Sequence, residues 1–443
     1  MAVDKLVDST QLDGYFSDIA DAIRGKNGSS DTYTPSQMPQ AITDIPSGGG
    51  GEAPENDVEF IDYDGTRVYS YTKAEFLALT ELPANPTHEG LTSQGWNWTL
   101  SEAKAYVQNY GMLVIGQYYI TDDGKTRLYV DLDDNHLNPK LRICPVGTIE
   151  INWGDGSTDT LSGTSATSMK SISHVYTAAG KYIIQITIEG SNYASIYGGY
   201  SRSQLLGSNL YSDNATDMAY LNCIYKIELG DKMHIGLRAF YYLYNLETIT
   251  IPKDIICENN SYVFYNCYRL KSIVIPTKNG TYEFSLYNTF SECNNLKNIS
   301  FSPNSVTSIS SSCFINCKCL KKITPNEEVI NINSSGLAQT GIYYIIIPNR
   351  FTTFYNYALS NSYLLRKISL PSTLATINSN AFADCYSLSE IHFKSTTPPT
   401  VSSSNAFSNI PLNCKIYVPT GYLSAYTSAT NYPSSSTYTY IEE

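Results

Sequence analysis

The stretch Ala239-Phe240-Tyr241-Tyr242-Leu243-Tyr244-Asn245-Leu246-Glu247-Thr248-Ile249-Thr250-Ile251-Pro252 decides the fold, because its order of residue types keeps returning towards the C-terminus. Phe240, Leu246, Ile249, Ile251 and Pro252 are answered by Phe264, Leu270, Ile273, Ile275 and Pro276, and later by Phe407, Ile416, Val418 and Pro419. The members between start at Phe290, Phe314, Leu337, Leu359 and Phe382, with successive starts 24, 26, 24, 23, 22, 23 and 25 residues apart. The Ile-x-Ile-Pro close alternates as a short strand does, and proline ends it because it has no N–H for the ladder. A single unit cannot bury its own apolar side, so the copies must stack. Three residues after the aromatic stand Cys267, Cys293, Cys317 and Cys385, preceded by Asn266, Glu292, Asn316 and Asp384. Cysteine at that position serves as a small buried hydrophobe over its counterpart in the next coil.

The period lies in the leucine-rich-repeat range. The phrase resembles the BspA-type leucine-rich repeats of bacterial surface and phage proteins over roughly residues 215–443, and implies a solenoid with caps across residues 201–443. Cys223, Ile227 and Leu229 read as a truncated first coil, and Tyr417-Val418-Pro419 with Tyr422 to Tyr426 as a closing helix or turn.

N-terminal to the repeats, residues 141–200 contain Trp153-Gly154-Asp155-Gly156-Ser157, then His174-Val175-Tyr176, Gly180 and an alternating strand through Ile184, Ile186 and Ile188. This order resembles a PKD-like β-sandwich, a spacer of extracellular and virion proteins. The resemblance gives Asp155 and His174 a loop-holding role and leaves Asp155 and Asp159 as candidate calcium acids. Residues 57–140 read as a small α+β unit. Asp64-Gly65 and Asp123-Gly124 are two-residue hairpin signals between alternating apolar residues. Thr72-x-x-Glu75 and Thr99-x-x-Glu102 are capping boxes that open two helices, with Trp96 and Trp98 as core anchors. Asp131, Asp133 and Asn135 have calcium-loop spacing, but the sixth position is His136 and the twelfth Arg142, so the EF-hand pattern fails.

Residues 47–56 carry four consecutive glycines and read as a linker. In residues 1–46, Leu12, Tyr15, Phe16, Ile19 and Ile23 draw one helical stripe, and Met38 and Ile42 a second. So small a pair of helices needs a partner for its stripe, through oligomerisation or a neighbouring protein. The run Ile19 to Arg24, Lys26 to Asp31, Tyr33-Thr34-Pro35 and Met38 resembles the N-terminal segment of phage tail and virion-fibre proteins of gut Firmicutes. The resemblance makes this end the virion anchor, with other virion proteins as partners and a homo-oligomer, a trimer, as the expected assembly. Met1 to Thr10 shows no secretory signal, so a virion localisation after cytoplasmic synthesis is expected.

Acids outnumber bases 41 to 29, for a net charge of −12, and no basic stripe occurs, which argues against nucleic acid or anionic membranes as partners. No apolar run approaches a membrane span. The ten cysteines fall mostly on the repeat phase, as reduced core thiols would. Histidines 88, 136, 174, 234 and 392 form no metal-spaced pair, and neither a Gly-x-Ser-x-Gly elbow nor partnered Cys-x-x-Cys sets occur. No cofactor, resident metal or enzymatic activity is expected.

Tyrosine is abundant, 38 residues against three tryptophans. It suits both binding surfaces and β-rich faces. The candidate receptor contacts are Tyr241, Tyr242, Tyr244, Tyr265, Tyr268, Tyr343, Tyr344, Tyr355, Tyr357, Tyr363 and Tyr386, which lie between the Phe and Leu of their repeats or in the less regular copies. The expected function is a virion-attached receptor-binding or adhesion protein that meets a bacterial surface glycan or protein. A capsid decoration or spacer without a receptor is the alternative, and a polysaccharide-degrading enzyme or cellular adhesin comes after it.

Overall fold

The coils from Phe240 to Phe382 turn at two residues with left-handed backbone, two before and two after the core aromatic or leucine. Around Phe264 these are Tyr262 and Asn266, around Phe290 they are Asn288 and Glu292, and around Phe382 they are Asn380 and Asp384. The flipped peptides aim alternate N–H groups along the stack, so that Tyr262, Phe264 and Asn266 donate to Tyr287, Thr289 and Ser291 of the next coil at 3.0, 3.0 and 2.8 Å. The repeat therefore satisfies its backbone at the turn as well as at the strand, as buried polar groups require. Inside, Phe240, Phe264, Phe290 and Phe314 stack at 5.1, 5.5 and 5.3 Å. Leu337 and Leu359 are fully buried in the same row. The cysteines do more than fill space. Cys267, Cys293 and Cys317 donate their thiols to Phe240 O, Phe264 O and Phe290 O at 3.1, 3.1 and 3.0 Å. All ten cysteines are free thiols, nine of them buried.

This computed structural model describes residues 57–198, 205–207, 220, 222–257, 260–278 and 284–443. The anchor candidates Leu12, Tyr15, Phe16, Ile19, Ile23, Met38 and Ile42, the glycine linker, and most of the junction before the repeats lie outside the described residues. Residues 57–443 form one compact unit.

Its first layer is a sheet ordered β2 (Arg67–Tyr71), β1 (Val58–Ile61), β4 (Leu113–Thr121), β3 (Leu91–Trp96). Helices α1 (Lys73–Ala78) and α2 (Leu100–Tyr110) begin at the expected capping boxes of Thr72 with Glu75 and Thr99 with Glu102. Gly111 ends α2 in the left-handed conformation.

The Asp123-Gly124 turn does not make a hairpin. β4 has both edges occupied, parallel to β1 and antiparallel to β3, so it has no edge to offer the next strand. β5 (Thr126–Leu132) turns the corner instead and pairs antiparallel with β9 (Gly180–Ile188). Between them in sequence, β6 (Lys140–Asn152) pairs antiparallel with β8 (Lys170–Ser173) and β11 (Leu206–Gly207) along its first residues, with β10 (Tyr193–Ile196) in its middle, and with β7 (Thr158–Thr164) and β9 along its last.

The expected boundary at residue 140 thus runs through one sheet, and that sheet does not stop at residue 200. On its other edge β5 pairs antiparallel with β12 (Ile224–Glu228), the strand of the first coil, and β12 runs parallel to Thr248–Thr250 of the second. β5 caps the first coil by pairing with its otherwise open ladder edge. At the far end, strand Thr439–Glu442 adds parallel to Lys415–Val418, and helix Leu423–Thr427 buries Tyr426, whose hydroxyl donates to Ser395 O at 2.7 Å.

The α+β layer lies on the outward face of the solenoid sheet. Trp98 Nε1 donates to Phe301 O at 2.9 Å, Asn97 Nδ2 to Ser300 Oγ at 2.9 Å, and Tyr106 Oη to Pro325 O at 2.6 Å. Ser300 Oγ donates to Val114 O at 2.7 Å, and Val114 N donates to Thr324 Oγ1 at 3.2 Å. Gly116 admits the close approach, since a Cβ there would stand 2.4 Å from Val274 Cγ2. Trp98 is therefore an interface anchor, while Trp96 packs at 4.8 Å from Phe60 inside the layer's own core. A buried ion pair, Glu59 with Lys322 at 3.2 Å, lies in the same interface.

Candidate functional site

The aromatic surface of the first regular coils comes from the left-handed turns. Alternating backbone handedness throws neighbouring side chains outward over the row of core phenylalanines, so residues at equal phase form columns along the stack. Tyr241 and Tyr265 are stacked at 5.1 Å with planes 20° apart, and Tyr244 and Tyr268 at 5.2 Å with planes 3° apart. Tyr242 packs edge-on against Tyr241 at 4.5 Å and tilted against Tyr265 at 5.7 Å. Tyr262 joins Tyr265 at 6.0 Å and Tyr287 at 5.5 Å. The Arg238 guanidinium lies 5.5 Å from the Tyr241 ring and 5.1 Å from that of Tyr262, within cation–π range.

Of the five expected contacts on these coils, Tyr244 and Tyr268 form a stacked pair of their own, while Tyr241, Tyr242 and Tyr265 share one ring cluster. Arg238, Tyr262 and Tyr287 belong to that cluster too and escaped the sequence reading, which in the regular repeats searched only between the Phe and the Leu. The signal was present in the phase: Tyr262 precedes Phe264 by two residues, as Tyr357 precedes Leu359. Burial and the neighbouring Tyr287 push the Tyr262 hydroxyl above the ordinary phenol range. At neutral pH the cluster is a set of neutral donors and acceptors around one cation.

Tyr355, Tyr357, Tyr363 and Tyr386 are exposed as well, farther along the solenoid, but no ring pair joins them among the described residues. Tyr386 Oη donates to Asp384 at 2.9 Å, and the carboxylate acceptor holds the phenol proton above its usual range. Between the two groups of tyrosines the column after the core residue continues as Ser291, Ile315, Ala338 and Ser360. Tyr343 and Tyr344 do not join either group. Tyr344 lies in the sheet and packs against the α+β core, and Tyr343 is half-buried. Their less regular copy sits where α2 covers the sheet.

The two candidate calcium acids are not brought together for a metal. Asp155 accepts from Ser157 N at 3.0 Å, from Ser157 Oγ at 2.5 Å and pairs with His174 Nε2 at 2.8 Å. The bond from the Ser157 hydroxyl, with the other two, lowers its pKa to about 2. Asp159 accepts from Trp153 Nε1 at 2.8 Å. His174 also stacks on Trp153 at 4.7 Å, so the constellation holds a loop. Among the described residues no cluster of three or more His, Cys, Asp or Glu could hold a metal ion.

Residues 215–286 and 286–415 match the BspA type leucine rich repeat region, in six copies. Three solved structures are similar to parts of the chain. A leucine-rich repeat protein from Bacteroides ovatus ATCC 8483 is 18% identical over 56% of this chain and 75% of its own, with a TM-score of 0.31. The pneumococcal vaccine antigen PcpA is 16% identical over 50% and 68%, with a TM-score of 0.28. A leucine rich cell surface protein from Faecalibacterium prausnitzii A2-165 is 18% identical over 54% and 79%, with a TM-score of 0.21. No curated protein matches the chain.

Proposed function

We propose that this chain is a binding or adhesion protein whose solenoid presents the tyrosine surface of the coils around Phe240, Phe264 and Phe290 to a bacterial surface glycan or protein. One observation carries the reading. Tyr242 and Tyr262 hold left-handed backbone, with φ of 63° and 58°, at turn positions that most other coils fill with Asn, Asp, Ser, Gln or Glu, Arg238 and Tyr357 being the other bulky residues there. An L-residue with a bulky side chain costs roughly 1–2 kcal/mol there, more than Asn or Asp. Stacking alone could use asparagine at both, as the turns at Asn266, Asn288, Asn316, Asn361 and Asn380 do. The tyrosines instead complete a surface of rings, hydroxyls and one guanidinium, the chemistry of aromatic recognition.

In the finer reading the surface is carried on a virion by residues 1–46, as an oligomer, and meets the receptor of a bacterial host. The net charge of −12 leaves nucleic acid a poor partner. Adsorption of the labelled full-length protein to host cells tests the surface. The double change Tyr242→Asn with Tyr262→Asn should lower saturable binding at least about ten-fold without lowering thermal stability, because asparagine carries less strain at both turns. Undiminished adsorption by that variant ends the reading. Separately, antibody against the chain should decorate intact virions; bare virions end the virion reading and leave the tyrosine surface standing.

A further inference from the structure

A cleft opens where the α+β layer stops covering the solenoid sheet. Its volume is about 200 Å³. Asn109 and Tyr110, the last residues of α2, form one wall, and successive coils supply Tyr344, Lys367, Ser369 and Lys394 on the other. The wall is fixed in place, because Asn349 N donates to Tyr110 Oη at 3.2 Å and Tyr110 packs on Tyr106 at 4.6 Å.

Charge at this place runs against the rest of the chain. In a protein of net charge −12, the cleft is lined by two lysines and no acid. Of the acids close by, Glu390 is engaged by Lys367 at 3.0 Å and by His392 at 3.1 Å, Asp57 by the backbone N of Lys73 at 2.6 Å, and Glu328 by Asn326 Nδ2 at 2.6 Å, while Glu327 and Glu328 act on the Tyr110 hydroxyl. Lys394 has no ion-pair partner among the described residues, and the side chains of Asn109 and Ser369 make no hydrogen bond there. The lining therefore offers one uncommitted cation, one shared cation, uncommitted amide and hydroxyl groups, and two phenol rings. The volume is below the roughly 300–1,000 Å³ of pockets for drug-sized ligands, so the occupant is one small ring rather than a chain segment.

We propose that this cleft binds a single sugar ring bearing an anionic substituent, with Lys394 and Lys367 meeting the anion and Asn109 and Ser369 meeting ring hydroxyls. Tyr344 and Tyr110 supply the flat apolar walls that a sugar ring packs against. The inference deepens the glycan branch of the proposed function by giving the solenoid a second subsite, apart from the tyrosine surface.

The full-length protein is titrated with glucuronate, glucose 6-phosphate, glucose and inorganic phosphate, followed by ligand-detected saturation-transfer NMR. At least one sugar anion should bind about ten-fold or more tightly than glucose, and Lys394→Ala should remove that advantage, as loss of a charged hydrogen bond does. Whether glucuronate or glucose 6-phosphate binds better tells a carboxylate substituent from a phosphate. Equal binding of glucose and both sugar anions, unchanged binding by Lys394→Ala, or phosphate competing as well as the sugar anions each overturns the proposal. Tyr242→Asn should leave this titration unchanged. Its loss of cell adsorption therefore reports on the tyrosine surface alone, and the two readings fail separately.

Discussion

On the sheet side of the coils, Ser272, Ser300 and Thr324 are buried beneath a second layer of the same chain, whereas on the turn side Tyr244, Tyr268 and Tyr287 of the same stack reach solvent. Both surfaces are built from outward positions of one repeat, so the core phrase does not distinguish them. Side-chain size does. Small hydroxyl residues let β4 approach until Gly116 has no room for a Cβ, and their hydroxyls exchange hydrogen bonds with its backbone. Tyrosine on the turn side prevents such an approach and leaves a surface for another molecule. In this protein the sheet face is spent on holding the unit together, and recognition falls to the turns.

If that division is right, truncation should be costly on the first side and cheap on the second. Trp98→Ala should destabilise the protein by about 3–5 kcal/mol, the same range as Phe264→Ala in the solenoid interior, by denaturant titration. A cost for Trp98→Ala near zero would mean that the layer is only resting on the sheet.

Alkali should separate core from surface next. Burial raises Cys267 and Cys317 well above the ordinary thiol range, and Cys385 to about 12. Between the unfolded thiol pKa, about 8.5, and the folded value, the unfolded chain has lost protons that the folded chain keeps. Stability present below the unfolded pKa is therefore lost as pH rises towards the folded one, by up to about 1.4 kcal/mol per pH unit for each such thiol. Unfolding midpoints measured from pH 7 to 11 should fall above pH 9, and Cys385→Ala should make that limb shallower.

Gly116→Ala should cost about 1–3 kcal/mol by overpacking against Val274. The smallest stability effect belongs to the tyrosines: Tyr244→Ala should change stability by less than about 0.5 kcal/mol, because Tyr244 lies outside the core and both it and its partner Tyr268 are exposed. A larger loss there would show the tyrosine column to be scaffold.

The stack was legible because its signal is local and repeated. Phe264, Leu270, Ile273 and Ile275 each face the same environment as their counterparts one coil away, so periodicity alone assigns them to the core. Thr72 with Glu75 and Thr99 with Glu102 were legible for the same reason, since a capping box is complete within four residues. Asp123-Gly124 misled because a tight turn dictates a reversal of direction and says nothing of which edge is free. The tyrosine surface was half legible: phase located Tyr241, Tyr244, Tyr265 and Tyr268 and carried the signal for Tyr262, but the contact that brings Tyr287 of the next coil beside Tyr262 belongs to the stacked structure.

The sequence by itself determined the repeat, its core and its outward tyrosines, because each follows from spacing within one coil. Only the tertiary structure decided which outward face stays open. Ser300 and Thr324 look like any solvated strand positions until β4 lies on them, Tyr344 looks like Tyr241 until α2 covers it, and β5 looks like half of a hairpin until it caps the first coil. Those outcomes depend on contacts between residues 203 positions apart, such as Asn97 with Ser300 and Trp98 with Phe301, and no local pattern of residue types encodes which distant surface will arrive.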